Sequence, residues 1–298
     1  MEETAWIRRY IAPLVTADGA AELRDDVALI TALGPTIATM DTLVETIHFL
    51  SADPLSTVGQ KLIRVNVSDI HAKAAEPLEA LLSITWPSAR SEDEFAQFMS
   101  GIARDLDEFA IALIGGDMVC HDGPLTVTLT LTGRCIGKMP VRRSGGQAGQ
   151  ALYVNGEIGW GGLGLAAATA GNDPGVAQRY RVPWISPLFA AQTVADLGAA
   201  SMDVSDGLLI DASRLAAASG CGVTLQLERI PLARPSENAA DILAQCTAGD
   251  DYRILMSAKP GLEIPGFSEI GALTESMGLQ LLHHGQRVNT PSTLGFEH

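Results

Sequence analysis

Residues 125–133 read LTVTLTLTG, a run in which apolar and threonine side chains alternate without a break. Successive side chains of a β-strand point to opposite faces of its sheet, so this run predicts a strand with one buried face and one polar face. A chain that contains such a strand needs further strands beside it and a layer that covers the apolar face. The polar face would meet either water or a second subunit.

Strand and helix patterns alternate through the first half of the chain. The segment 91–109 is amphipathic, and Ser91 and Glu94 have the spacing of a capping box, which predicts the start of a helix. A Gly-Pro turn signal separates two short apolar runs and predicts a hairpin. The predicted elements are strands at 27–30 and 36–40, a helix after residue 54, a strand at 79–87, the helix at 91–109 and a strand that ends on the GGD at 115–117.

The segment 137–150 is rich in glycine, proline and arginine and has no apolar periodicity, which predicts a domain boundary. We therefore divide the chain of 298 residues into domains of residues 1–138 and 139–298. Strands and helices also alternate after the boundary, which predicts mixed α/β or α+β domains. The predicted elements are a strand at 151–156, a helix that starts in GWGGLG at 159–164, a strand to 204, a helix from about 206 to Gly220, a strand at 222–228, a helix near 237–247, a strand at 251–257 and one last strand after 264.

Acidic residues outnumber basic residues by 35 to 20, which gives a formal net charge of −15. This charge disfavours a nucleic acid or an anionic membrane as a partner and favours multivalent cations, although acidity also serves solubility. The start of the chain lacks an apolar signal core, and no apolar run of about 18 residues follows, so we expect a cytoplasmic protein. The cysteines at 120, 135, 221 and 246 show no C-x-x-C spacing and predict four buried, reduced thiols.

A dispersed set of aspartates occupies predicted strand ends, turns and helix starts. Carboxylate oxygens are the ligands that Mg²⁺ prefers, and phosphoryl transfer from ATP needs Mg²⁺ together with backbone N–H groups and a few cationic side chains. Each aspartate alone is also a residue type that caps helices and forms turns. Taken together, the set predicts a magnesium and ATP site. Its members are Asp26, Asp41, Asp69, Asp117, Asp203 and Asp206.

Two members of this set lie in glycine-containing motifs. The two glycines of GGD at 115–117 would let a phosphate approach the backbone, but an ordinary tight turn has the same composition. In SDG at 205–207, either Ser205 or Asp206 caps the following helix, or the N–H groups at the helix start bind an anion. Both alternatives remain open for each motif.

Other motifs narrow the choice of nucleotide-binding class. The chain has no G-x-x-x-x-G-K-[ST] loop, H-R-D or D-F-G motif, which argues against P-loop proteins and protein kinases. The GWGGLG at 159–164 lacks the full G-x-G-x-x-G and favours helix packing. Arg142 and Arg143 either clamp a phosphate or belong to a solvated linker. His48 lacks a second histidine at metal spacing, so a substrate contact is the open role, and the polar turn at 250–252 either caps or contacts substrate.

Seven segments in a fixed order carry a resemblance over nearly the whole chain: DDVALI at 25–30, DTLVETIHF at 41–49, KLIRVNVSDI at 61–70, GGD at 115–117, RSG at 143–145, MDVSDGL at 202–208 and GDDY at 249–252. The ordered set resembles the thiamine-monophosphate kinases, a family of the superfamily that includes aminoimidazole ribonucleotide synthetase. The D-x-L-V-E-x-x-H-F pattern points to this family within the superfamily.

The resemblance implies an α/β fold of mixed α+β character with two domains. In the family, strands of the N-terminal domain form a β-barrel across a homodimer, and the C-terminal α/β domain completes the nucleotide and substrate site. The implied reaction moves the γ-phosphoryl of ATP directly to the phosphate of thiamine monophosphate, with several Mg²⁺ ions and no protein nucleophile. The implied metal ligands are Asp26, Thr39, Met40 through its backbone, Asp41, Asp69, Asp117, Asp203 and Asp206; the ATP contacts are Gly116, Asp117, Arg143 and Ser205; and the substrate contacts are His48, Asp250 and Phe296.

The chain departs from the family pattern at several positions. Arg24 replaces a glycine, and His71 and Lys73 interrupt a run of small apolar residues near the expected metal cluster. In GDDYR, Asp250 is shorter than the usual glutamate, and Arg253 replaces an acid. These departures keep a second function open, that of a related ATP-dependent enzyme with a different phosphate or carboxylate acceptor. A nucleotide-binding regulator without catalysis is a third alternative, against which the retained aspartates argue.

Overall fold

The computed structural model describes residues 3–17, 20, 30 and 34–296. The chain divides into two compact units, one of Met1–Ile70 and Glu76–Cys135 and one of His71–Ala75 and Ile136–His298. Arg24, Asp26 and most of the strand predicted at 27–30 lie outside the described residues.

The first unit contains a four-stranded sheet in the order β1-β4-β2-β3, in which β1 is antiparallel to β4 and β2 is parallel to β3. This sheet is open, with β1 and β3 at its edges, so the described residues of a single chain form no closed barrel. The elements are α1 (Glu3–Trp6), a π-helical turn (Ile7–Ile11), a 3₁₀ turn (Ala12–Leu14), β1 (Thr36–Val44), α2 (Leu55–Ala72), β2 (Ala75–Pro87), α3 (Glu92–Glu108), β3 (Ala112–His121) and β4 (Thr126–Cys135).

The strand β4 confirms the prediction from the alternating run. Val127 and Leu129 are fully buried, while Thr128 and Thr130 on the other face are partly exposed. The Thr128 hydroxyl forms a 2.8 Å hydrogen bond with the hydroxyl of Thr42 on β1. Alternation therefore gives this sheet an apolar face and a face lined by small polar side chains.

The helix α3 begins with the predicted capping box. The Ser91 hydroxyl accepts a 3.3 Å hydrogen bond from the Glu94 N–H, and the Glu94 carboxylate accepts a 2.8 Å bond from the Ser91 N–H. Phe95 lies fully buried on the apolar face of the helix and contacts Trp86 of β2 edge to face, with ring centroids 5.0 Å apart. Capping fixes where the helix begins, and aromatic packing fixes which face it turns to the sheet.

The strand β3 differs from its prediction, because it continues past Asp117 to His121. Gly116 is paired with Leu82 of β2, and a Cβ atom on Gly116 would collide with the Leu82 carbonyl oxygen. The register between these parallel strands also shifts at Ala80 and Leu81. Close strand packing therefore requires the glycine, and the tight-turn alternative for the GGD motif is wrong because β3 runs through it.

The second unit contains a seven-stranded sheet in the order β11-β10-β7-β9-β5-β8-β6, in which β10 and β7 are parallel and the other neighbours are antiparallel. The elements are β5 (Ala151–Asn155), α4 (Trp160–Ala170), α5 (Pro174–Arg181), α6 (Leu188–Leu197), β6 (Ala200–Val204), α7 (Leu208–Ala218), β7 (Gly222–Gln226), a 3₁₀ turn (Leu227–Arg229), α8 (Ala239–Cys246), β8 (Arg253–Ala258), β9 (Phe267–Thr274), β10 (Leu279–His283) and β11 (Gln286–Val288).

The prediction of one last strand after residue 264 is wrong, because the short hairpin of β10 and β11 follows β9. His284 and Gly285 connect the two strands with φ of 50° and 77°. Two consecutive positive φ angles are typical of a type I′ turn, which the sequence usually signals with Asn-Gly or Asp-Gly. Because His284 stands where asparagine or aspartate is usual, the sequence did not predict this turn.

The core of the second unit is built on α7 and the sheet. Leu208, Leu209, Ala212 and Leu215 are fully buried in one cluster, as their helical spacing predicts. The helix begins two residues later than expected, and the chain turns after it at Gly220, whose φ is 68°.

All four cysteines are free thiols, and three of them are buried. Cys120 is exposed, so its predicted burial is wrong; it lies on β3, at an edge of the four-stranded sheet. No helix in the described part of the chain is long and apolar enough to cross a membrane.

Candidate active site

A cluster of oxygen-bearing side chains lies between β1 and α2 in the first unit. Thr39 and Asp41 occupy alternate positions of β1, opposite Leu131 and Leu129 of β4, and therefore lie on the covered face of the sheet. Asp69 comes from the last turns of α2, and its carboxylate accepts a 2.5 Å hydrogen bond from the Thr39 hydroxyl. We refer to these three residues as the β1 cluster.

The electrostatics of the β1 cluster favour a bound cation. Burial and, as the smaller cause, the negative charge of Asp69 together raise the pKa of Asp41 to about 7. The carboxylates of Asp41 and Asp69 are near enough to repel each other when both are ionised. Only hard oxygen donors, two carboxylates and a hydroxyl, are offered here, and this is the donor set that Mg²⁺ accepts. The residues of the β1 cluster therefore fit the predicted ion.

Two other predicted ligands of the first unit lie apart from this cluster. The side chain of Met40 is 65% exposed on the opposite face of β1, so only its backbone could serve. Asp117 is exposed on β3, where it pairs with Ser83 of β2. Neither the sheet order nor the pattern of exposure within this unit brings Asp117 beside Asp41.

His48 lies in the tight turn that follows β1. Its Nδ1 atom accepts a 3.0 Å hydrogen bond from the Val44 N–H, and its carbonyl oxygen accepts a 3.0 Å bond from the buried ammonium of Lys61. An Nδ1 that accepts a hydrogen bond leaves the proton of the neutral ring on Nε2. The ring thus has a fixed orientation and a donor at its far end.

The second unit places further predicted residues on the loop between β6 and α7. Asp203 lies at 4% exposure on β6, and Ser205 and Asp206 follow it in the loop. Asp211, fully buried in the first turn of α7, accepts hydrogen bonds from three consecutive backbone N–H groups. Its Oδ2 atom lies 3.1 Å from the nitrogen of Ser205, 3.1 Å from that of Asp206 and 3.2 Å from that of Gly207.

This arrangement bears on both alternatives for the SDG motif. Neither Ser205 nor Asp206 caps α7, because the helix follows Gly207 without a side-chain cap. The N–H groups of residues 205–207 are not free for an anion, because they donate to the carboxylate of Asp211. Burial raises the pKa of Asp211 to about 6, as does the charge of Asp206, against the opposing effect of the N–H donors and Arg214. Arg214 in turn forms ion pairs with Asp206 and, at 3.1 Å, with Asp211.

The sequence analysis did not identify Asp211 or Arg214 as residues of the candidate site. Asp211 lies among apolar neighbours, directly before Ala212 of the buried helix face. An acid within an apolar stripe, five residues after another acid, is the signal that would have found it, since charged residues are rarely buried without partners.

The turn at 249–252 packs against the same loop. The Asp250 N–H donates to the Ser205 carbonyl at 2.8 Å, and the Tyr252 N–H donates to the Val204 carbonyl at 2.7 Å. Asp250 and Tyr252 have φ of 60° and 52°, the left-handed region that non-glycine residues rarely adopt. The Tyr252 hydroxyl donates to the Asp250 carboxylate at 2.7 Å and fixes its direction.

The C-terminal segment reaches this loop from another side. The Phe296 N–H donates a 2.8 Å hydrogen bond to the carbonyl of Asp206, and the phenyl ring is 48% exposed. The second unit therefore brings Ser205, Asp206, Asp250 and Phe296 together, although they are spread over more than ninety residues of the chain. We refer to this group as the β6 loop group.

Within the turn at 250–252, the capping alternative is confirmed for the side chain of Asp251. Both of its oxygens accept from the N–H of Gly159, at 2.9 and 2.8 Å, and Oδ1 also accepts from Gly161 at 3.1 Å, which caps the start of α4. Burial raises the pKa of Asp251 to about 6. A Cβ atom on Gly161 would collide with the carbonyl of Gly249, so the glycines of GWGGLG serve helix packing, as predicted.

Comparisons with known proteins identify the family of the chain. Residues 24–135 match the model of the AIR synthase related protein, N-terminal domain, and residues 147–278 match that of the C-terminal domain. The chain is 36% identical to the thiamine-monophosphate kinase of Caulobacter vibrioides, over 98% of this chain and 89% of that protein.

The chain belongs to the thiamine-monophosphate kinase family. It is an ATP-dependent phosphotransferase. A structure described as AaThiL complexed with AMPPCP and TMP matches with a TM-score of 0.78 and 27% identity, over 87% of this chain and 86% of the other. The thiamine-monophosphate kinase of Stenotrophomonas maltophilia matches with a TM-score of 0.77 and 26% identity, over 97% and 98% of the two chains.

Two departures from the thiamine-monophosphate kinase pattern have structural explanations within the second unit. Arg253 is buried; its Nε and Nη1 atoms donate to the carbonyls of Glu157 and Trp184 at 3.0 and 3.1 Å, and its guanidinium stacks on the Trp184 ring at 4.5 Å. Burial lowers the pKa of Arg253 to about 10. Lys73 donates a 2.5 Å hydrogen bond to the Ser201 carbonyl, two residues before Asp203.

Two further residues named in the sequence analysis, His71 and Arg143, also belong to the second unit. His71 is buried, and its Nδ1 atom lies 2.7 Å from the carbonyl oxygen of Ser186. Arg143 is exposed between β4 and β5, and its carbonyl accepts a 3.0 Å hydrogen bond from the Ser219 hydroxyl, so the backbone is held while the side chain extends outward.

Proposed function

We propose that this chain phosphorylates thiamine monophosphate to thiamine diphosphate with ATP and Mg²⁺, by direct transfer. The observation that carries the proposal is the β1 cluster. In this cluster the mutually repelling carboxylates of Asp41 and Asp69 lie beside the hydroxyl of Thr39. Family membership supports the choice of ATP and of a phosphate acceptor.

The reaction needs no covalent intermediate on the protein. An oxygen of the acceptor phosphate forms a bond to the γ-phosphorus of ATP, and the bond from that phosphorus to the β,γ-bridging oxygen breaks. The electron pair of the broken bond leaves with ADP, so atoms and charge balance without an additional reactant. Positioning and charge neutralisation then account for the rate, and Mg²⁺ supplies the neutralisation when it is bound.

We assign the metal role to the aspartates of both units, together with Thr39 and the backbone of Met40. The β1 cluster and, separately, Asp203 and Asp206 supply oxygen donors of the type that Mg²⁺ prefers. Asp26 and Asp117 belong to the same assignment by family resemblance.

For ATP, we assign contacts to Ser205, Arg143, Gly116 and Asp117. The Ser205 N–H already donates to Asp211, so its hydroxyl is the group that remains for the nucleotide. Arg143 has an exposed guanidinium on a segment held by its own backbone, which suits a charge-assisted contact with phosphate.

For thiamine monophosphate, we assign contacts to His48, Asp250 and Phe296. His48 has its ring oriented by the Val44 N–H, Asp250 has its carboxylate oriented by Tyr252, and Phe296 presents a half-exposed ring. An aromatic ring and a carboxylate suit a cationic, aromatic ligand, and a ring N–H suits a phosphate oxygen.

We also propose that the chain acts as a homodimer. The face of the four-stranded sheet that carries the threonines also carries exposed apolar side chains, among them Met40, Leu81 and Val119 at 65%, 38% and 46% exposure. Exposed apolar groups along the open face of one sheet favour association. Joining two such sheets would form the expected barrel, and light scattering of the purified chain would detect twice the 31.3 kDa mass.

The proposal is tested by incubating the chain with ATP, Mg²⁺ and thiamine monophosphate beside other phosphorylated and carboxylate acceptors. We expect thiamine diphosphate and ADP in equal amounts, with no turnover when Mg²⁺ is chelated. ADP formation with another acceptor and not with thiamine monophosphate would favour the related enzyme of the same superfamily. Nucleotide binding without turnover on any acceptor would favour a regulator.

A further inference from the structure

The contact of Asp211 with the loop before α7 uses one oxygen for three donors. Oδ2 lies between 3.1 and 3.2 Å from the nitrogens of Ser205, Asp206 and Gly207, and the residue is completely buried. Three consecutive N–H groups can converge on one atom only when the backbone curls around it. The carboxylate therefore determines the shape of the loop, and with it the direction of the Asp206 side chain.

A second contact connects Asp211 to the same side chain. Arg214, one turn further along α7, bonds to Asp211 Oδ1 at 3.1 Å and also to the carboxylate of Asp206. Asp211 thus holds the backbone of Asp206 directly, and it shares with Asp206 a guanidinium that would otherwise pair with Asp206 alone. Buried carboxylates are costly unless they are paired, and this one has four partners.

The charge of Asp211 is not needed to cap the helix in the usual way. A capping side chain precedes the helix and binds the N–H groups of its first turn, whereas Asp211 lies within the helix and reaches back to the loop. Its partners are the residue proposed to bind ATP, the residue proposed to bind metal and the glycine between them and α7. The contacts are therefore directed at the proposed ligands rather than at the helix.

From these contacts we propose that Asp211 is a positioning residue that presents the Asp206 carboxylate to a divalent cation. The inference rests on the proposed function, because it assigns Asp206 to cation binding. Outer partners of metal ligands fix ligand orientation, and removing them commonly weakens metal affinity by about 10- to 100-fold. Asp211 touches neither substrate nor metal and acts through residues 205–207.

The test measures cation binding without turnover. Mn²⁺ serves as the probe, and electron paramagnetic resonance counts the free ion over the wild-type chain, Asp211→Asn and Asp211→Ala. We expect at least one site to weaken by roughly tenfold in Asp211→Asn and more in Asp211→Ala. Asp241→Asn is the matched control, because Asp241 is an exposed carboxylate in the first turn of α8.

Hydrogen exchange of the backbone amides gives a second readout on the protein alone. We expect the amides of residues 205–207 to exchange faster in Asp211→Ala than in the wild-type chain, while the Asp241→Asn control leaves them unchanged. Faster exchange together with weaker Mn²⁺ binding supports the inference.

The outcomes separate the inference from the function on which it rests. A wild-type chain that binds no Mn²⁺ would overturn the proposed function as well. Wild-type binding that is matched within twofold by folded Asp211→Asn and Asp211→Ala would overturn the inference alone. Failure of both variants to fold would also overturn it, because the carboxylate would then support the fold and not the cation site.

Discussion

The hydroxyl of Thr39 on β1 donates a 2.5 Å hydrogen bond to the carboxylate of Asp69 on α2. This bond joins an edge strand to a helix at the point where two carboxylates lie together. It therefore holds Asp69 in place before any cation arrives, which reduces the cost of organising the site on binding.

Replacing this hydroxyl tests its contribution. In Thr39→Val the hydrogen bond is lost at nearly constant volume, and we expect the Mg²⁺ concentration for half-maximal activity to rise by roughly tenfold. Thr39→Ser keeps the hydroxyl and should remain within about threefold of wild type by the same measurement. Equal behaviour of the two variants would remove the bond from the function of the site.

Asp41→Asn should remove most activity and leave the fold intact, with a loss on the order of a hundredfold or more in turnover because a charged ligand becomes neutral. Steady-state kinetics measures the loss, and circular dichroism checks the fold. Near-normal turnover by a folded variant would exclude Asp41 from the metal site.

The same variant has a predictable effect on stability without metal. The pKa of Asp41 is raised to about 7, so the folded state binds a proton more tightly than the unfolded state, and the free energy of unfolding falls as pH rises from about 4 to 7. Asparagine does not titrate, so the free energy of unfolding of Asp41→Asn lacks this decrease. The stability of the variant relative to wild type should therefore increase as pH rises over this range. Urea unfolding at pH 5 and pH 8 in EDTA measures the difference, and parallel curves would contradict the assignment.

Arg214→Gln removes a cation that forms an ion pair with Asp206. A dication and a guanidinium compete for one carboxylate, so we expect Mn²⁺ affinity to increase severalfold, with the larger effect at low ionic strength. Arg229→Gln is a suitable control, since Arg229 pairs at 3.3 Å with Glu269, outside both groups of proposed ligands. Weaker binding in Arg214→Gln alone would show that orientation of Asp206 by the guanidinium outweighs competition.

Asp251→Ala leaves the N–H groups of Gly159 and Gly161 without their acceptor at the buried start of α4. Loss of an acceptor for buried donors costs about 1 to 3 kcal/mol, and chemical denaturation should show a loss of that size. Asp173→Ala removes an exposed cap from α5 and should cost less. A loss no greater than that of the control would mean that the buried cap contributes little.

Local patterns in the sequence predicted much of the fold because local interactions determine those elements. The capping box of Ser91 and the alternation around Leu129 each depend on residues within a few positions, and both are confirmed. The structural reason for Gly116 was not predicted, because the lack of room for a side chain at this position is caused by Leu82 on another strand. Tertiary contacts of this kind are not encoded in a single segment.

The candidate site shows the same division between local and distant interactions. Aspartates at strand ends and turns were recognisable one by one, and the structure brings several of them together within each unit. Asp211 was missed because its role depends on a loop that folds back over it. Its position among apolar residues was the available signal, and helix periodicity alone assigned those neighbours to the core.

The N–H groups of residues 205–207 are already occupied by a carboxylate of the same chain. A nucleotide analogue therefore cannot gain affinity from the peptide amides of this loop, as ligands of glycine-rich phosphate loops do. Inhibitors aimed at the second unit should instead carry groups that bond to the Ser205 hydroxyl or displace Arg214 from Asp206. An analogue that depends on either of those side chains would discriminate this enzyme from P-loop proteins.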